Sequence, residues 1–170
     1  MRVLLLASFC LSWLLPSLRS DEPIRIGIVG LDTSHVIAFT KQFNDPDNPK
    51  YVRGGRVVAA YKGGSPDIAS SADRIDGFTE TLVKDFGVTL YEDIPSLCQN
   101  VDAILLESVD GRKHLEQARP IFEAGLPVFI DKPVAGSLRD AIKIFQLAED
   151  SGTPCWSASS LRFRPGVANV

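Results

Sequence analysis

An acid, a base and a proline stand in a row at Asp131-Lys132-Pro133, directly after the apolar run Leu126-Pro127-Val128-Phe129-Ile130. An ammonium beside a carboxylate can move a proton at a hydroxyl oxygen if a stiff support holds the pair against the reacting atom. The apolar run supplies that support. It is short and unbroken, which predicts a strand buried on both faces. Pro133 has no N–H to donate and confines Lys132 to an extended backbone, so the ladder ends there. In a parallel sheet, the residues after such a strand enter the crevice where ligands of open α/β sheets bind. Taken alone, Asp-Lys-Pro reads as well as a solvated ion pair closing a strand, and the surrounding chain has to decide.

A second group of candidates follows the first strand. Ile24-Arg25-Ile26-Gly27-Ile28-Val29-Gly30 is β-rich and ends on glycine. Leu31-Asp32-Thr33-Ser34-His35 then makes a tight turn into a helix carrying Val36, Phe39, Thr40 and Phe43, with Asp32, Thr33 or Ser34 as N-cap. A dinucleotide-binding turn reads Gly-x-Gly-x-x-Gly, for a tight turn, close backbone approach to the pyrophosphate and close helix packing. Gly30 fills the first place, but Asp32 and His35 stand in the second and third. Asp32 sets a negative charge where the helix amino terminus should attract a diphosphate. Thr33 and Ser34 offer hydroxyls there, and His35 an imidazole. After the second strand, Arg56–Tyr61, no acid waits for a ribose 2′-hydroxyl, whereas Lys62 and Ser65 suit a 2′-phosphate. A bound dinucleotide is therefore expected to be NADP rather than NAD. A flexible glycine loop with an exposed lysine explains the same residues. Glu107 ends a fourth, buried strand, Val101–Glu107, and faces the same crevice. No Cys/His spacing matches a metal site, so no metal is expected.

The elements between these residues alternate. Thr79 is expected to cap a short helix closed by Gly87, followed by a strand at Val88–Tyr91 and a short helix at Ile94–Cys98. Asp110 caps a helix with Leu115, Ala118 and Phe122 on one face and Gly125 at its end. Pro120 inside that helix costs up to about 3 kcal/mol unless the helix kinks. Ser137 and Asp140 start another helix, with Leu138, Ala141, Ile142, Phe145 and Ala148 as its buried stripe. Thr153–Ala158 is the last strand. Strands alternating with helices require right-handed crossovers and a mostly parallel sheet with helices on both faces, a doubly wound α/β Rossmann-type fold.

The chain of 170 residues, 45% hydrophobic and 23% charged, suffices for one domain with a full core. It has no basic run and no aromatic-basic interleaving, so nucleic acid is not an expected partner. Residues 1–20 differ in kind: Arg2, an apolar stretch from Val3 to Leu15, then Pro16, Ser17 and Ser20. That order predicts a secretory signal peptide and an exported protein, with no membrane contact after cleavage. Cleavage would remove Arg2 and Arg19, leaving 16 basic residues against 21 acids and a net charge of −5. Cys98 and Cys155 then remain, and their apolar settings suit free buried thiols better than a disulfide.

In order, these residues resemble the amino-terminal half of the glucose-fructose oxidoreductase / inositol dehydrogenase family (Gfo/Idh/MocA) of NAD(P)-dependent oxidoreductases. The resemblance rests on Ile26-Gly27-Ile28-Val29-Gly30, the strand from Asp102 to Leu106, His114 in Arg112-Lys113-His114-Leu115, Ala124-Gly125, and Asp131-Lys132-Pro133 in place of Glu-Lys-Pro. It implies a Rossmann domain over residues 21–158 and a second, substrate-binding α/β domain of which only 159–170 are present. It also implies hydride transfer between a sugar or polyol and NAD(P), with Lys132 handling the proton, Asp131 and His114 assisting, and pairing into a homo-oligomer through the absent domain. A second reading follows from Asp32 and His35: an exported, non-catalytic Rossmann-like domain that has lost dinucleotide binding and holds a small polar ligand.

Overall fold

The computed structural model describes residues 22–163 and 166; the signal-like segment lies outside them. Six strands alternate with helices: β1 (Ile24–Val29), α1 (Ser34–Asn44), β2 (Gly55–Tyr61), α2 (Ala69–Ala72), α3 (Ile75–Phe86), β3 (Thr89–Tyr91), α4 (Ile94–Cys98), β4 (Ala103–Leu106), α5 (Gly111–Glu123), β5 (Val128–Ile130), α6 (Leu138–Ser151) and β6 (Cys155–Trp156). A 3-10 turn at Ser160–Phe163 follows. All pairings are parallel, in the order β3-β2-β1-β4-β5-β6. This is the doubly wound order, with the direction of winding reversing between β1 and β4. The expected fold class is the observed one.

Side-chain alternation along the strands builds two cores. Ile26, Ile28, Val57 and Ala60 face α1 and α3 with Leu31, Val36, Leu82 and Val88. Val29, Ile104, Leu106, Val128 and Ile130 face the other way, onto Leu97, Ala118, Ile121 and Ile144. Burying both faces makes the central strands nearly continuous apolar runs, as the sequence showed. The helix starts are fixed by side chains. Thr33 accepts from the His35 N–H, Asp110 from that of Arg112, and Ser137 from that of Asp140.

Details depart from the sequence reading at Thr79 and along α6, while Pro120 lies inside its helix as read. Helix α3 begins at Ile75, and Thr79 sits inside it with its hydroxyl donating to the Ile75 carbonyl at 2.6 Å, so it is not a cap. Pro120 stays within α5, three residues before its end. Helix α6 buries Ile144 and Ala148, while Leu138, Ile142 and Phe145 are exposed. The apolar residues of α6 cover more than half its circumference, and the sheet with α5 can cover only one side. Both cysteines are free thiols, Cys98 buried and Cys155 partly so. Burial pushes each of them up to about 11.

Candidate functional site

Because every strand is parallel, β1, β4 and β5 all end at one edge of the sheet, and they are neighbours there. The residues that follow them meet. His35, in the first turn of α1, places Nδ1 2.7 Å from Oδ2 of Asp131, the residue after β5. Lys132 Nζ lies 3.5 Å from the same oxygen. Asp131 is buried, whereas the Lys132 side chain is 54% exposed. The Lys132–Pro133 peptide is cis.

Glu107, the residue after β4, completes the cluster. It is 1% exposed, and neither carboxylate oxygen has a hydrogen-bond partner among the described residues. Burial pushes its carboxyl well above the usual carboxylate range; the charge of Asp131 adds to the rise and that of Lys132 opposes it. One donor atom each from His35, Glu107 and Asp131 lies within 4.8 Å of the others. An imidazole, two carboxylates and an ammonium thus converge where loops from three adjacent strands meet.

The turn after β1 is built differently from a phosphate cradle. Gly30 has φ +87°, and a Cβ there would lie 2.1 Å from Ser108 Oγ and 2.6 Å from Ser108 Cα. The missing side chain therefore makes room for the loop after β4. Asp32 is wholly buried. Its Oδ2 accepts from the Ser71 hydroxyl at 2.6 Å and its Oδ1 from the Val109 N–H at 3.0 Å. Ser65 joins the same network: its N–H donates to Ser71 Oγ and its hydroxyl to Asp110, both at 2.8 Å. Arg112 binds Asp110 and Asp67 and holds the Asp110 carboxyl well below the usual range. The loops after β1, β2 and β4 are thereby laced together across the switch point.

A pyrophosphate there needs bare backbone at the second glycine position and unpaired N–H groups at the helix start. This chain instead has a buried carboxylate at that position, and the His35 N–H is already taken by Thr33. The turn as built does not fit a diphosphate. The side chains expected to hold one are otherwise placed. Thr33 is buried as the cap, and Ser34 is exposed. Ser65 is buried against Asp110, and Lys62 pairs with Asp76 at 2.7 Å on the surface. The last two therefore form no 2′-phosphate pocket, and the basis for preferring NADP over NAD is gone.

His114, expected to assist at the site, is set back from the crevice mouth. It is fully buried, with Nε2 2.8 Å from the Ser108 carbonyl and Nδ1 3.1 Å from that of Val134. It braces the loop after β4 against the loop after β5. Ser71, Ser108 and Asp110 were not among the site residues read from the sequence. Only Asp110 carried a signal, as a helix cap. A groove of about 1160 Å³ opens at the opposite edge of the sheet, beside Ile24, Gly55, Arg56 and Asp102, far from this cluster.

Residues 24–159 match the profile of an oxidoreductase family with an NAD-binding Rossmann fold, Gfo/Idh/MocA. No curated protein matches the chain. Among solved structures, apo scyllo-inositol dehydrogenase from Lactobacillus casei superposes with a TM-score of 0.64 at 20% identity, over 85% of this chain and 38% of that one. Myo-inositol 2-dehydrogenase from Lactobacillus plantarum gives 0.62 at 20% identity, over 84% and 38%. An oxidoreductase from Agrobacterium radiobacter, in complex with NAD+, L-tartaric acid and magnesium, gives 0.64 at 17% identity, over 83% and 36%. The chain thus spans well under half the length of these proteins.

Proposed function

This chain belongs to the Gfo/Idh/MocA oxidoreductase family, and from that premise we propose that it is the Rossmann half of an oxidoreductase acting at a hydroxyl-bearing carbon of a sugar, polyol or related compound. The observation that carries the reading is the position of Lys132. Its half-exposed ammonium leaves β5 at the same mouth as the loop after β1, held 3.5 Å from a buried carboxylate. A group so placed can exchange a proton with a substrate hydroxyl oxygen. Asp131 fixes Lys132 from one side and is itself fixed by His35, so the pair acts as an oriented acid–base unit. Similarity to inositol dehydrogenases supports a polyol as the substrate class. Assembly into a homo-oligomer and export through residues 1–20 belong to the same proposal.

Hydride removal needs an acceptor, and NAD is the family's. Asp32 favours a second reading, in which the crevice has lost the dinucleotide and holds a small polar ligand alone. Titration of the purified full-length protein with NADH and with NADPH, followed by nicotinamide fluorescence, separates the two. A saturable change supports the oxidoreductase with that cofactor. No change up to about 1 mM of either would retire it in favour of the second reading.

A further inference from the structure

We propose that His35, Glu107 and Asp131 form a site for one divalent transition-metal cation of the Mn2+ or Zn2+ class. A cation about 2.1 Å from each of three donors spaces those donors roughly 3 to 4 Å apart. The donor atoms here already lie within 4.8 Å of one another, and His35 Nδ1 and Asp131 Oδ2 are 2.7 Å apart. Small side-chain rotations bring all three onto one centre. Glu107 and Asp131 directly follow β4 and β5, and His35 stands in the first turn of α1, so three regular elements hold the triangle.

The independent sign of a ligand is Glu107. Its side chain is enclosed, aimed into the triangle, and unpartnered at both oxygens. A buried carboxyl left without partners is costly, and nearly all such groups in folded proteins have one. The neighbouring acid worsens the imbalance, since Asp131 brings a second negative charge to the same spot. A divalent cation neutralises both carboxylates and occupies the unpaired oxygens.

The donor set selects the metal. A mixed set of one imidazole and two carboxylates suits first-row transition ions, which accept nitrogen and oxygen donors together, whereas Ca2+ and Mg2+ prefer oxygen throughout. His35 and Lys132 are the exposed members of the cluster, so the open side of the site faces solvent beside the ammonium. A small molecule with two adjacent oxygens, such as a vicinal diol or a hydroxy acid, can complete the shell there. The site stands whether or not a dinucleotide binds, and the NADH titration reads that question separately.

The test uses the full chain, stripped with a chelator and titrated with Mn2+ while the signal of free aqueous Mn2+ is followed by electron paramagnetic resonance, with Zn2+, Mg2+ and Ca2+ as competitors. Saturable binding of one Mn2+ per chain is expected, displaced by Zn2+ ahead of Mg2+ or Ca2+. Affinity should fall about tenfold or more in Glu107→Gln and in His35→Asn. Glu107→Gln preserves volume and His35 is partly exposed, so circular dichroism should show both variants folded. Absence of saturable Mn2+ or Zn2+ binding up to about 1 mM, displacement by Mg2+ or Ca2+ ahead of Zn2+, or unchanged affinity in both variants would overturn the site.

Discussion

Replacing Asp32 by glycine restores the second glycine of the phosphate turn and cuts the network that closes the crevice, so the two consequences should appear together. The carboxylate accepts two hydrogen bonds, at 2.6 Å from Ser71 and 3.0 Å from the Val109 N–H. Each bond to a charged group contributes about 1.5–3 kcal/mol, and the loss leaves the Val109 N–H without a partner. Glycine adds about 0.5–1 kcal/mol of backbone freedom to the unfolded chain. The contributions overlap because both bonds tie the same loops, which gives a total of about 3–5 kcal/mol. With a urea dependence of about 1.5–2 kcal/mol per molar, the midpoint should fall by about 2 M, read by far-ultraviolet circular dichroism. Asp32→Asn keeps one acceptor and turns an NH2 toward a donor, so about half that loss is expected. NADH should bind Asp32→Gly about tenfold or more tightly than the parent chain. A midpoint shift below about 0.5 M would show that Asp32 does not hold the loops, and unchanged NADH affinity would show that the turn is not a phosphate site.

Gly30→Ala should be among the most damaging single changes, by about 3 kcal/mol or more, because its Cβ would fall 2.1 Å from Ser108 Oγ at positive φ. A urea midpoint within error of the parent's would contradict that packing. Glu107 makes metal-free stability depend on pH in a definite direction. Its carboxyl ionises at higher pH folded than unfolded, so its contribution is full below the ordinary carboxylate range and declines as pH rises until it ionises in the fold. The slope reaches at most about 1.4 kcal/mol per pH unit. Asp93, Asp102 and Asp110 shift the opposite way and lose stability at low pH, so the comparison is parent minus Glu107→Gln from about pH 5 to 8. Parallel curves would rule the effect out. Lys132→Met should lower turnover of any polyol the parent oxidises by about 10²–10⁴ with little change in urea midpoint, and retained turnover would remove Lys132 from the chemistry.

The sheet was legible because burial on both faces imposes continuous apolar runs, and these are visible without coordinates in β1, β4 and β5. That the residues after β5 meet those after β1 was legible too, since parallel strands must end at one edge, and Asp131 does reach His35. What the sequence concealed is where polar side chains point. Asp32 reads as a charge facing a phosphate, but its carboxylate is turned inward onto Ser71, a residue in a stretch with no periodic signal. Ser65 and Asp110 form a bond across 45 positions that no local pattern encodes. His114 looks like a surface histidine at a helix start, yet the loop after β5 folds over it and buries it between two carbonyls. The α6 stripe misled for the opposite reason: apolar residues occur on more of the helix than the sheet can cover.

Charge across the crevice ties these observations together. Asp32, Glu107, Asp110 and Asp131 all lie buried at the ends of β1, β4 and β5. Arg112 answers Asp110 and also Asp67, Ser71 and Val109 answer Asp32, and Lys132 answers Asp131 from a position more than half exposed. Glu107 has no partner among the described residues. A dinucleotide would bring two more negative charges to this edge, where a Rossmann enzyme normally offers bare N–H groups and a helix dipole. A small cation brings the opposite charge to Glu107, the buried carboxylate without a partner among the described residues. The same rearrangement that closes the phosphate turn, by turning Asp32 inward and sending His35 across to Asp131, also brings an imidazole to the two acids. In this crevice the features that disfavour a diphosphate are the ones that assemble a cation site.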